Sequence, residues 1–126
     1  MGRHIVIFLL LLSVITACSS SKSASSYAVY NKKAVACYYA DKFNGKKTAS
    51  GEVFSNSKYT AAHRKLPFGT KVRVTNKANN KSTVVTINDR GPFSAGKDID
   101  LTKKAFLEIA DNKNHGELNV ILETIK

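Results

Sequence analysis

Cysteine is scarce in this 126-residue chain, which has only Cys18 and Cys37. If Cys18 is consumed by modification near the N-terminus, Cys37 stands alone as a buried strand thiol. No intramolecular disulfide can then form, so the fold must rest on its apolar core. Long apolar runs are also missing. The run Ile5 to Leu12 is too short to cross a bilayer as a helix, and nothing after Cys18 is apolar for long enough to do so. Acidic residues are few, 9 against 20 lysines and arginines, giving a formal net charge of +11. No internal repeat and no second domain can be read from the chain. Close-spaced ligand pairs of the His-x-x-x-His kind are absent, and one histidine beside two carboxylates is a poor metal set, so no metal or cofactor is expected.

What the N-terminus does contain is a signal. Arg3 and His4 precede the apolar run, which ends in Ile15-Thr16-Ala17-Cys18. A basic start, an apolar centre and small residues before a cleavage point make an export signal over residues 1–17. A cysteine directly after the small residues resembles a bacterial lipobox, in which that cysteine is acylated and becomes the new N-terminus. Acyl chains can hold a protein on a membrane with no spanning helix. Ser19 follows the cysteine, with no acidic residue there. By resemblance to lipoprotein sorting in two-membrane bacteria, this points to the outer membrane and its periplasmic face.

Cleavage would remove Arg3 and leave the mature part at +10 instead of +11. Such a charge suits anionic lipid, anionic glycan or plain solubility. Export argues against nucleic acid, and the lysines are scattered rather than interleaved with aromatics. Residues 18–33 read as the lipidated cysteine, a Ser-rich tether through Ser26 and a transitional stretch from Tyr27 to Lys33. The packed domain is expected over residues 34–126, as a monomer.

Within it, Val35 to Ala40 reads as a strand and Lys42 to Gly51 as a loop. Lys71 to Thr75 alternates with period two, Asn79-Asn80 tolerates positive φ, and Ser82 to Ile87 reads as a β-branched run, which predicts a hairpin. Asp89 follows it directly, before a Gly91-Pro92 turn. Thr102 caps a predicted helix from Lys103 to about Asp111 with Phe106, Ile109 and Ala110 inward. Leu118 to Ile125 closes the sheet. Short strands with one helix predict a small β-barrel.

Three blocks carry chemistry: Ala49-Ser50-Gly51-Glu52, Thr60-Ala61-Ala62-His63 and Asn88-Asp89-Arg90-Gly91-Pro92. Each sets one proton-handling side chain beside small or turn-forming residues, which leave room for a cleft. Glu52, His63 and Asp89 together form an acid, imidazole and acid set suited to breaking a glycosidic bond. Plain structural readings stand beside these: a solvated loop carboxylate for Glu52, a surface imidazole for His63 and an Asx-turn residue for Asp89. Successive strand residues point to opposite faces, so Arg90 is read as structural, directed away from Asp89 and toward Asp98 or Asp100.

The three blocks, with Phe43-Asn44-Gly45, Leu66-Pro67-Phe68-Gly69-Thr70 and Ile99-Asp100-Leu101-Thr102, resemble the rare lipoprotein A (RlpA-like) family across nearly the whole mature domain. The resemblance implies a six-stranded double-psi β-barrel related in fold to expansins. It also implies an endolytic lytic transglycosylase. Such an enzyme cuts the β-1,4 bond from N-acetylmuramic acid to N-acetylglucosamine in peptidoglycan and leaves a 1,6-anhydro end. Strands lacking stem peptides would be preferred. The family's functional positions fall on Glu52, His63 and Asp89, with Asp89 as acid and then base and His63 sharing its hydrogen bond or proton. Asp100 belongs to the groove. The chain departs from the family in having Tyr38-Tyr39-Ala40 where Trp-Tyr-Gly is usual, and in lacking the SPOR module that many members carry. The contrasting function class is an expansin-like protein that binds or loosens the wall without turnover.

The anchoring expectation is testable. Cys18→Ser should leave the protein unprocessed or released from membranes on fractionation. A processed variant that still sediments with membranes would contradict the lipobox.

Overall fold

A computed structural model describes residues 26–125, so the signal, Cys18 and most of the expected tether lie outside the described residues. Six strands form the barrel: β1 (Tyr27–Tyr38), β2 (Thr60–His63), β3 (Lys71–Asn76), β4 (Ser82–Asp89), β5 (Ile99–Leu101) and β6 (Leu118–Ile125). A 3-10 turn at Asp41–Phe43 and helix α1 (Lys103–Ile109) complete it. The strands close in the order β1-β5-β2-β4-β3-β6. β1 runs parallel to β5 and β2 parallel to β4, while the other contacts are antiparallel. The expected mainly-β, double-psi barrel with one short helix is therefore present.

Alternation fills the interior. Val72 and Val74, Val85 and Ile87, Ile99 and Leu101, and Val120 and Leu122 are all buried, each pair two residues apart on its strand. Ala34, Ala36 and Ala61 are equally buried, and Phe106 and Ile109 of α1 add to the same cluster. The hairpin forms as expected, with Asn80 at φ +59 in its turn.

Two boundaries differ from the sequence expectation. The barrel begins at Tyr27, because the stretch through Lys33 pairs with β6 from Tyr27↔Ile125 onward. Two register shifts between Val29 and Ala34 break the alternation there, which hides the strand in the sequence. The pairing is reinforced outside the barrel, where the Arg73 guanidinium lies 3.6 Å from the Tyr27 ring and bonds Glu123 through Nε and Nη2. The second difference is that α1 stops at Ile109. Its last carbonyl is taken by the side-chain amides of Asn76 at 2.8 Å and Asn79 at 3.0 Å, and Ala110 is already extended. Thr102 caps the start as expected, accepting from the Ala105 amide.

Asn76 is buried and joins the β3–β4 turn to the end of α1. Asn76→Ala should cost about 1–3 kcal/mol in urea unfolding, the penalty for a lost buried hydrogen bond with its partners left behind.

Candidate functional site

The site forms where β1, β4 and β5 end beside the Thr48–Glu52 turn. That turn is closed by the Thr48 and Gly51 amides, which donate to the carbonyls of Glu52 and Thr48, with Gly51 at φ +90. Its small residues lie close against β4: the Ser50 amide donates to the Asn88 carbonyl, and the Ala49 amide donates to Asp89 Oδ1 at 2.8 Å. The Arg90 amide donates to the same oxygen at 2.9 Å. The Tyr39 hydroxyl donates to Oδ2 at 2.6 Å. Asp89 thus has both oxygens engaged as acceptors. Burial, and then the hydrogen bond to Asp89, push the Tyr39 phenol far above its ordinary range. Its ring is held by Phe54 at 4.3 Å and by Phe43 at 5.8 Å.

Tyr39, Asp89 and Asp100 share a cavity of about 380 Å³, with Lys46, Lys47 and Phe93 also on its walls. That volume is in the range of small-ligand sites. Phe93 is 86% exposed, an apolar ring offered outward rather than to the core. It follows Gly91, whose φ of +126 suits glycine and turns the chain away from β4. A larger cavity, lined by residues of the Asn76 and His115 regions, contains none of these groups.

The expected acid, imidazole and acid set is not assembled. His63 forms no hydrogen bond with Asp89. The reason is a bulge: Ala61 pairs with Ile87 but Ala62 pairs with Asp89, so Asn88 is the extra residue. Unbroken parallel pairing would set Asp89 level with His63; the bulge moves it one place, level with Ala62. His63 is instead level with Ile99, in the row facing the barrel interior, and its ring meets Tyr30 edge-on at 5.4 Å. Its Nδ1 accepts from the amides of Lys65 at 3.0 Å and Leu66 at 3.1 Å. Glu52 is exposed, lies outside the cavity lining and is touched by Asn88 Nδ2 at 3.5 Å.

Arg90 does turn away from the Asp89 carboxylate, but not to Asp98 or Asp100. Its Nη1 donates to the carbonyls of Leu66 at 2.9 Å and His63 at 3.3 Å, and its guanidinium stacks 4.0 Å from the Phe68 ring centre. Arg64 takes Asp98 instead. His63 and Arg90 therefore organise one turn, through its amides and its carbonyls respectively. The contacts of Tyr39 and the Ala49 amide with Asp89 gave no sequence signal, because each meets it from 40 or more residues away.

Residues 23–122 match the family described as lytic transglycolase. The chain belongs to that family. A probable endolytic peptidoglycan transglycosylase RlpA of Treponema pallidum is 53% identical over 85 residues, 68% of this chain and 26% of that protein. The endolytic peptidoglycan transglycosylase RlpA of Pasteurella multocida is 49% identical over 90 residues, 71% of this chain and 30% of that protein. The chain thus spans under a third of the length of these two relatives. In fold it is similar to an expansin of Clavibacter michiganensis, with a TM-score of 0.59 at 16% identity over 75% of this chain and 50% of that one. It is also similar to the Streptomyces papain inhibitor, with a TM-score of 0.57 at 24% identity over 73% and 90%.

Burial lowers the His63 imidazole below its usual 6.5, the charges of Arg64, Arg90 and Lys65 add to this, and Asp98 opposes it. The unfolded chain then takes up the proton first as pH falls below about 6.5, so stability should drop there. His63→Asn keeps an acceptor for the turn and removes the titration. Denaturant midpoints between about pH 7.5 and 5 should fall less steeply for this variant than for the parent.

Proposed function

We propose that this domain is an endolytic peptidoglycan transglycosylase that cuts the bond from N-acetylmuramic acid to N-acetylglucosamine and leaves 1,6-anhydro ends. The observation that carries the reading is Asp89, fixed by three donors on the wall of a cavity of about 380 Å³ in a domain of this family. Lytic cleavage uses no water. The muramic 6-hydroxyl attacks its own anomeric carbon, and a carboxylate must receive its proton. Asp89 suits that task, since its oxygens are oriented as acceptors before substrate arrives. Tyr39 and the Ala49 amide position it. His63 acts through the turn it shares with Arg90, and Glu52 orients sugar from the loop that carries Ala49.

Lys46 and Lys47 on the cavity wall, beside the outward Phe93, suit a strand whose muramic lactyl groups are free carboxylates. A cavity of about 380 Å³ leaves little room for stem peptides beside the glycan, so peptide-free strands should be favoured sterically first and electrostatically second. The protein would work in the cell envelope as a monomer, tethered through Cys18, with the outer membrane's periplasmic face as the proposed site.

Purified full-length protein should release anhydro-muramyl products by mass spectrometry, faster from amidase-treated glycan than from intact sacculi. High salt should narrow the difference without abolishing it, because screening shortens to about 3 Å near 1 M. Asp89→Asn should lose about a hundredfold or more in rate. Binding without anhydro products from the parent protein would favour an expansin-like wall-binding role.

A further inference from the structure

Ala62 has an acidic neighbour on each side. On β4 its register partner is Asp89, and on β5 it is Asp100. The three residues form one row across three strands, with their side chains on one face of the sheet. At a strand spacing of about 4.8 Å, the two acidic Cα atoms stand roughly 10 Å apart. Ala62 places only a methyl group in the row between them, and both residues line the same cavity, together with Tyr39.

Their surroundings are opposite. Asp89 accepts from the Tyr39 hydroxyl and from two backbone amides. The Asp100 carboxyl accepts no hydrogen bond from any described residue, although it is half-buried. Burial raises its carboxyl above the usual range, the Asp89 charge adds to this, and Lys97 opposes it. A half-buried carboxyl at a cavity wall, with no donor to hold it as the carboxylate, is suited to give a proton. Asp89 is held as the carboxylate by its donors, and while Oδ1 already accepts two amides, Oδ2 accepts only the Tyr39 hydroxyl and keeps a lone pair open to a proton.

We propose that Asp100 is the proton donor to the glycosidic oxygen, while Asp89 takes the proton of the muramic 6-hydroxyl. The inference rests on the lytic reading above and assigns its acid and base to two residues. The bond from the muramic anomeric carbon to the glucosamine O4 breaks, its electron pair goes to O4, and O4 takes the Asp100 proton. The muramic O6 bonds to the anomeric carbon, and its proton passes to Asp89. No water is consumed, and the proton on Asp89 returns to Asp100 through solvent after product leaves.

Leaving-group rescue tests the division. Full-length parent, Asp100→Asn and Asp89→Asn are assayed on amidase-treated strands and on a muramyl oligosaccharide carrying a 4-nitrophenyl leaving group, which departs without protonation. Asp100→Asn should lose about a hundredfold or more on strands and regain near-parental rate on the aryl substrate. Asp89→Asn should stay slow on both. Full activity of Asp100→Asn on strands, equal loss on both substrates, or rescue of Asp89→Asn by the aryl group would each overturn the assignment. A parent that makes no anhydro product from strands would instead overturn the lytic reading itself. Asp100→Asn should melt no lower than the parent at neutral pH, because it removes a carboxyl that burial disfavours. If it fails to fold, Asp100→Glu keeps the charge while displacing the proton, and should show the same selective loss on strands.

Discussion

The site depends on how one short strand is threaded. β2 has four residues, yet it lies parallel to β4 on one edge and antiparallel to β5 on the other. Three segments distant in sequence thereby share one cross-strand row. The row is specific because the opposite face is sealed: Ala61, Ile87 and Leu101 are fully buried, so a slip of one residue would turn core side chains to water. Burial of that face is what holds Asp89 and Asp100 in register. Alanine at position 62 suits the row, since a longer side chain would stand between the two carboxyls.

The bulge at Asn88 is the second constraint. It gives β4 one more residue than β2 at this point, and so decides which side chain of the Asn88-Asp89-Arg90 run enters the cavity row. The extra residue is not left loose. Asn88 is buried, its carbonyl takes the Ser50 amide, and its side chain touches Glu52. The Ala49–Glu52 block therefore serves geometry before chemistry: small residues bring the loop backbone against the bulge, and one amide reaches Asp89.

Much of the barrel is legible in the sequence, for a physical reason. β3, β4 and β6 carry apolar residues two apart, and the hairpin turn carries asparagines that accept positive φ. The start of β1 is not legible, because two register shifts and Asn31-Lys32-Lys33 erase its alternation. The site was legible in part. Asp89 could be read at a strand end, and Arg90 as structural. The pairing of His63 with Asp89 could not be judged, because it turns on a single-residue bulge between strands more than twenty positions apart in the chain. Local sequence gives the face of each strand, but the offset between strands is a property of the closed sheet.

That offset also gives the histidine close to the site a structural task, whatever part it plays in proton transfer. His63 Nδ1 is occupied by two amides, and protonating it would break both bonds. Burial already disfavours the charged ring, and three neighbouring cations disfavour it further. An imidazole in this position is worth more as a neutral acceptor. It fixes the amides of the turn whose carbonyls hold Arg90, and the Arg90 amide is one of the three donors to Asp89. Loss of His63 would thus reach the chemistry through the backbone that aims Asp89, and a proton shuttle is not needed to account for its place beside the site.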